Sequence, residues 1–146
     1  MLTTAAIADQ SIAASSVSHI LAFPEGLVGC QDWKNFLLLS DDEEDLPVAC
    51  LQSVDEPQIR LFVTDPRLID RDYSITLTEE DRSNLGVGAI DDAAMFCTLT
   101  VAEDGSITAN LLGPLVINKQ TLRGRQLVLS ASGYSTRHPV AYLQGE

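Results

Sequence analysis

Apolar and polar residues alternate along much of this chain, and a two-residue period marks strands with one face turned inward. The pattern is clearest at 93–101, where Met95, Cys97, Leu99 and Val101 share one face and Phe96, Thr98 and Thr100 the other. It recurs at 59–64, with Ile59, Leu61 and Val63 opposed to Arg60, Phe62 and Thr64. At 106–111, Ile107, Ala109 and Leu111 alternate with Ser106, Thr108 and Asn110. Gly113-Pro114 then interrupts the run, because Pro gives no N–H to a ladder, and Leu115-Val116-Ile117 resumes it as far as Asn118. Further apolar runs predict strands at 17–23, 35–39, 48–53, 73–77 and 126–129.

Turn chemistry separates these runs. Pro24-Glu25-Gly26, Asp65-Pro66 and Ala102-Glu103-Asp104-Gly105 each stop a strand. One helix is expected near 79–85: Thr78 is a good N-cap, Glu79, Glu80 and Asp81 oppose the positive end of the dipole, and Gly86 ends it. Asp81 is shorter than the Glu or Gln that the capping box asks for. The stretch 132–140 has no period and is expected to run over the surface. Around eight strands with short turns predict a mostly β fold, a small antiparallel β-barrel-like domain, closed or nearly so. That single domain covers 17–146, and the Ala/Ser-rich segment 1–16 is left without a place in it.

Charge changes the picture more than composition does. The 146 residues carry a formal net charge of −12. Residues 1–104 hold 20 acids against five bases, whereas 105–146 hold one acid against four bases. A nucleic-acid phosphate backbone would be repelled by most of such a surface, and a cationic protein partner would be drawn to it. The five consecutive carboxylates at 41–45 repel one another and predict a solvated loop, since calcium loops space their acids and place a Gly at a fixed turn. No apolar run reaches the roughly 20 residues of a membrane span, and Asp9 and Gln10 interrupt any secretory core, so a soluble cytoplasmic protein is expected.

Catalytic chemistry is missing from the sequence. Cys30, Cys50 and Cys97 are odd in number and widely spaced, unlike a disulfide framework or a zinc site, and read as small buried hydrophobes. His19 and His138 have no nucleophile at a telling spacing. Gly86-Val87-Gly88 follows a helix instead of opening one, so it is no phosphate cradle. No enzyme activity, cofactor or metal is expected.

A family resemblance carries the functional reading further. Phe23-Pro24-Glu25-Gly26-Leu27-Val28-Gly29, Leu51-Gln52-Ser53, Asp65-Pro66 and Tyr73 resemble the first half of the FliW family of flagellar assembly factors. Thr108-Ala109-Asn110-Leu111, Pro114-Leu115-Val116-Ile117-Asn118, Gln126-Leu127-Val128-Leu129 and Tyr134-Ser135-Thr136-Arg137-His138-Pro139 resemble the second. Cys30 stands where the family often has an aromatic. The resemblance implies a cytoplasmic, chaperone-like protein, monomeric when free, that binds flagellin near its C-terminal region and also binds CsrA, a small RNA-binding repressor of flagellin translation. It touches neither nucleic acid nor membrane. Partner contacts are expected at or beside the matched motifs, at Gln52, Ser53, Asp55, Glu56, Asp65, Asp70 and Asp72. Asn110, Pro114, Asn118 and Tyr134 are expected to serve structure, the two Asn holding the break at Gly113-Pro114. A barrel that carries an apolar ligand is the competing reading.

Overall fold

The chain turns about one long strand. The computed structural model describes residues 17–39 and 48–140. Among these, β5 (Ala93–Val101) pairs at its start with β7 (Leu115–Asn118), in its middle with β4 (Arg60–Thr64) and at its end with β6 (Ile107–Ala109). The Gly113-Pro114 break therefore parts two strands that serve opposite ends of β5. An antiparallel ladder runs outward from β4 to β3 (Val48–Ser53), β2 (Asn35–Leu39) and β1 (Val17–Ala22). On the other arm, β8 (Gly124–Gln126) pairs with β7, and β9 (His138–Pro139) pairs with β6.

The sheet curls but does not close into the expected barrel. Among the described residues, the backbone of β1 pairs with the far arm only at the isolated parallel bridge Ala22–Arg123, where Ala22 N–H donates to Leu122 C=O at 3.0 Å. One bridge leaves sheet edges that a full ladder would remove. Among the described residues the class stands as mostly β with one α-helix, α1 (Glu79–Leu85).

Side-chain alternation on β7 divides the interior in two. Leu115 and Ile117 enter a core with Leu21, Phe23, Phe36, Leu51 and Val63, where the Phe23 and Phe36 rings meet edge to face at 5.8 Å. Val116 points into a second core with Tyr73, Leu77, Leu85, Met95, Cys97, Leu111, Leu127 and Val140. Short turns hold these faces in place. Gly26 sits at φ +72°, and a Cβ there would run into the Gln31 backbone, so the Pro24-Glu25-Gly26 turn needs Gly.

Three local expectations need correction. Residues 73–77 alternate in burial, Tyr73 and Leu77 inward, yet they join no ladder. The strand expected at 126–129 starts earlier, as β8, and beyond it only Leu127 and Leu129 donate, to Pro114 and Leu112 C=O. The segment 132–140 does not simply cover the surface. It contributes β9 and the buried Val140, whose N–H donates to Ile107 C=O. The acidic run 41–45 and segment 1–16 lie outside the described residues.

Candidate partner-binding surface

Alternation on β2, β3 and β4 sends one set of side chains into a core and the other outward. On the face turned away from the Phe23–Phe36 core, register aligns Ile20, Leu37, Gln52 and Arg60 in one row and Leu39, Cys50, Phe62 and Leu99 in the next, where Leu39 is buried and Leu99 packs against the second core. Ile20 is 56% exposed and Phe62 48%. Val101, two residues past Leu99 on the same face, is exposed as well. Exposed apolar side chains that share a sheet face make it a candidate contact surface.

The β3–β4 turn borders this face with acid. Ser53 Oγ accepts from Glu56 N–H at 3.0 Å and Ser53 N–H donates to Ile59 C=O, which leaves Asp55 and Glu56 exposed. Gln58 Nε2 donates to Glu56 Oε1 at 3.3 Å. Ser53 itself is buried opposite Phe36, so its side chain holds the turn from inside.

At the other end of β4 the acids are occupied with local structure. Asp65 Oδ1 accepts from Arg67 N–H at 2.9 Å, capping the 3-10 turn Pro66–Leu68, and the same carboxylate pairs with the Arg67 guanidinium at 3.2 Å. Asp70 Oδ1 accepts from Asp72 N–H at 3.0 Å. Asp72 is exposed and Asp70 half-buried. The seven expected contact positions thus form two groups, Gln52, Ser53, Asp55 and Glu56 at one end of β4, and Asp65, Asp70 and Asp72 beyond the other. A five-residue strand spans roughly 13 Å between its end residues.

Of the four residues expected to serve structure, Asn110 and Pro114 shape a local loop, and Asn118 and Tyr134 join distant segments. Asn110 Oδ1 accepts from Leu112 and Gly113 N–H at 3.1 and 2.9 Å, and Pro114 is fully buried beside this loop. Asn118 Oδ1 accepts from Gln120 and Thr121 N–H, while its Nδ2 donates to Leu85 C=O at 2.9 Å, tying β7 to the end of α1. The Tyr134 ring leans on Tyr73 at a 39° tilt with centroids 4.5 Å apart, and Tyr73 Oη donates to Leu111 C=O at 2.8 Å.

Among the described residues, reactive groups do not converge. Cys97 is buried and its thiol is pushed up to about 12, while burial pushes Cys50 up to about 11, so both stay protonated at neutral pH. Among the described residues no group of three or more His, Cys, Asp or Glu could hold a metal ion, and no helix is long and apolar enough to cross a membrane. An open cleft of about 650 Å³ runs between Ser74, Thr76 and Thr78 on one side and Arg125 and Val128 on the other, with Asp81 in its wall. Arg125 Nε pairs with Glu25 at 3.1 Å, and its Nη1, buried 3.7 Å from Asp81, has no hydrogen-bond partner.

Sequence reasoning passed over the outward rows. The signal was there: Phe62 falls on the same face as Arg60 and Thr64, an aromatic among polar neighbours. The cleft had no signal, because it is made by segments about 50 residues apart.

Comparison with known proteins places this chain in a family. The FliW protein family model matches residues 2–140. The flagellar assembly factor FliW of Caldanaerobacter subterraneus subsp. tengcongensis is 36% identical over 122 residues, covering 83% of this chain and 81% of the relative. Its namesake in Leptospira interrogans serovar Lai is 35% identical over 127 residues, covering 86% and 84%. A solved crystal structure of the flagellar assembly factor FliW superposes with a TM-score of 0.76 at 29% identity, covering 86% of this chain and 94% of the other. Matched nearly end to end in sequence and in fold, the chain belongs to the FliW family.

Proposed function

We propose that this protein is a cytoplasmic flagellar assembly factor that binds flagellin and antagonises the translational regulator CsrA, relieving repression of flagellin translation. The observation that carries the reading is the outward face of β1–β4, with Ile20 and Phe62 exposed beside the carboxylates of Asp55 and Glu56. An apolar terminal helix of flagellin fits the aliphatic and aromatic rows. CsrA, as an RNA binder, presents basic surface, and the acids at 55, 56, 70 and 72 complement it while repelling RNA phosphates. The carrier reading lacks support, since two side-chain cores fill the interior of the described residues.

Binding of purified flagellin and of CsrA to variants tests this. Phe62→Ser removes an exposed ring and should leave folding intact while weakening flagellin binding about tenfold or more, as truncation of an aromatic anchor does. Asp70→Asn with Asp72→Asn should weaken CsrA by about 0.2–1 kcal/mol per rim pair. Unchanged flagellin affinity in Phe62→Ser would move that site off the β1–β4 face.

A further inference from the structure

We propose that the cleft between residues 74–78 and 125–130 accepts an extended, basic peptide as an added β-strand. Burial alternates along both walls, as in an extended chain, and neither wall finishes its hydrogen bonding among the described residues. On one wall, Tyr134 Oη accepts from Ser74 N–H at 3.2 Å and donates to Ser74 C=O at 3.4 Å, engaging the pair of groups that a neighbouring strand would engage. Two residues on, Thr76 turns its N–H and C=O the same way, as alternation along an extended chain requires, and they meet no partner among the described residues. On the facing wall, Leu127 and Leu129 N–H are spent on Pro114 and Leu112 C=O. Val128 therefore points its N–H and C=O the opposite way; it lines the cleft, and its backbone is likewise unpaired among the described residues.

Tyr73, Leu77 and Leu127 sink into one core, with Ile75 and Leu129 against it, so both walls lie over the same apolar floor. A peptide strand laid there pairs with Thr76 on one side and Val128 on the other and completes an interrupted sheet. Main-chain bonds supply affinity in this mode and alternate side chains supply specificity. Charge selects the occupant. Residues 70–81 carry Asp70, Asp72, Glu79, Glu80 and Asp81 against Arg71 alone, and Asp72, Glu79 and Glu80 are exposed next to the cleft-lining Ser74 and Thr78. The one cation of the facing wall, Arg125, is already paired with Glu25. Lys or Arg at outward positions of the peptide meets this rim. The proposal does not rest on the flagellin and CsrA reading, which uses the outward face of β1–β4.

The test is a titration of the ¹⁵N-labelled protein with an acetylated, amidated heptapeptide of alternating Lys and Val, followed by amide shifts. Saturable shifts centred on Thr76 and Val128 are expected. The same peptide with alternate amides N-methylated should bind about tenfold more weakly, and a Glu-for-Lys analogue should bind more weakly again. Val128→Pro deletes a cleft-facing N–H and spares the bonds of Leu127 and Leu129, so it should cost about tenfold, with Val128→Thr unaffected. No saturable binding, shifts elsewhere, or equal affinity for the N-methylated peptide would overturn the proposal. The peptide comparison uses the unaltered protein, so it decides even where Val128→Pro unfolds.

Discussion

At the scale of single residues, polar side chains stabilise this fold by closing local loops, as Asn110 does, and by joining distant segments, as Asn118 does. Asn110 closes the loop that lets β6 and β7 reach opposite ends of β5, through two backbone N–H bonds. Asn110→Ala leaves those donors short of partners, so thermal stability should fall by about 1–3 kcal/mol before CsrA affinity changes. An unchanged melting temperature with lost CsrA binding would put this loop in the interface instead. Cys97 gives a pH signature. Burial raises its thiol from 9.0 to about 12, and Cys50 from 9.0 to about 11. Each thiol keeps its proton in the fold at a pH where the unfolded chain has lost it. The associated stability is therefore fully present below pH 9 and is lost as pH rises through the folded values. Urea midpoints should drop between pH 9 and 12, and less steeply in Cys97→Ala; equal slopes would contradict the assignment. Number and spacing in the sequence argued against a disulfide framework and read all three cysteines as buried, but only the fold shows that Cys97 is buried while Cys30 and Cys50 are half-buried.

At the scale of elements, alternation was a faithful guide to where side chains point and a poor guide to what the backbone pairs with. Strands β2, β3 and β5 and helix α1 lie where the sequence pattern puts them. In α1, the shorter Asp81 still completes the capping box: its Oδ2 accepts from Thr78 N–H at 3.2 Å while Thr78 Oγ1 accepts from Asp81 N–H at 3.0 Å. Residues 73–77 show the limit, inward at Tyr73 and Leu77 but with no ladder, because period reports burial and not hydrogen bonding. The two-residue β9 is too short to carry a period, so its place beside β6 was invisible in sequence. Its anchor is Val140, 1% exposed. Val140→Ala should destabilise by about 1–3 kcal/mol through the lost methyls and the cavity left behind, read as a lower urea midpoint. A neutral effect would mean that β9 docks without helping to hold the core.

For the whole molecule, closure of the sheet depends on pairings between ends of the chain, which no local pattern encodes. That is why a barrel was expected and an open, curled sheet was found. Charge, by contrast, was fully legible: −12 overall, with the acids concentrated before residue 105. Exposed attraction is screened within about 10 Å at 0.1 M ionic strength, so CsrA affinity should fall as salt rises, chiefly through a slower on-rate. Flagellin, proposed to sit on Ile20 and Phe62, should respond less. Equal salt dependence for both partners, measured by stopped-flow association, would mean that one surface serves both. The central claim is that an acidic FliW-family protein relieves an RNA-binding repressor without touching RNA. It is tested most directly by fluorescence anisotropy of a labelled flagellin-leader RNA held by CsrA. Adding this protein should lower the anisotropy to that of free RNA, and adding it to the RNA alone should change nothing. Persistence of the CsrA–RNA signal at saturating protein, or a rise with RNA alone, would contradict the account.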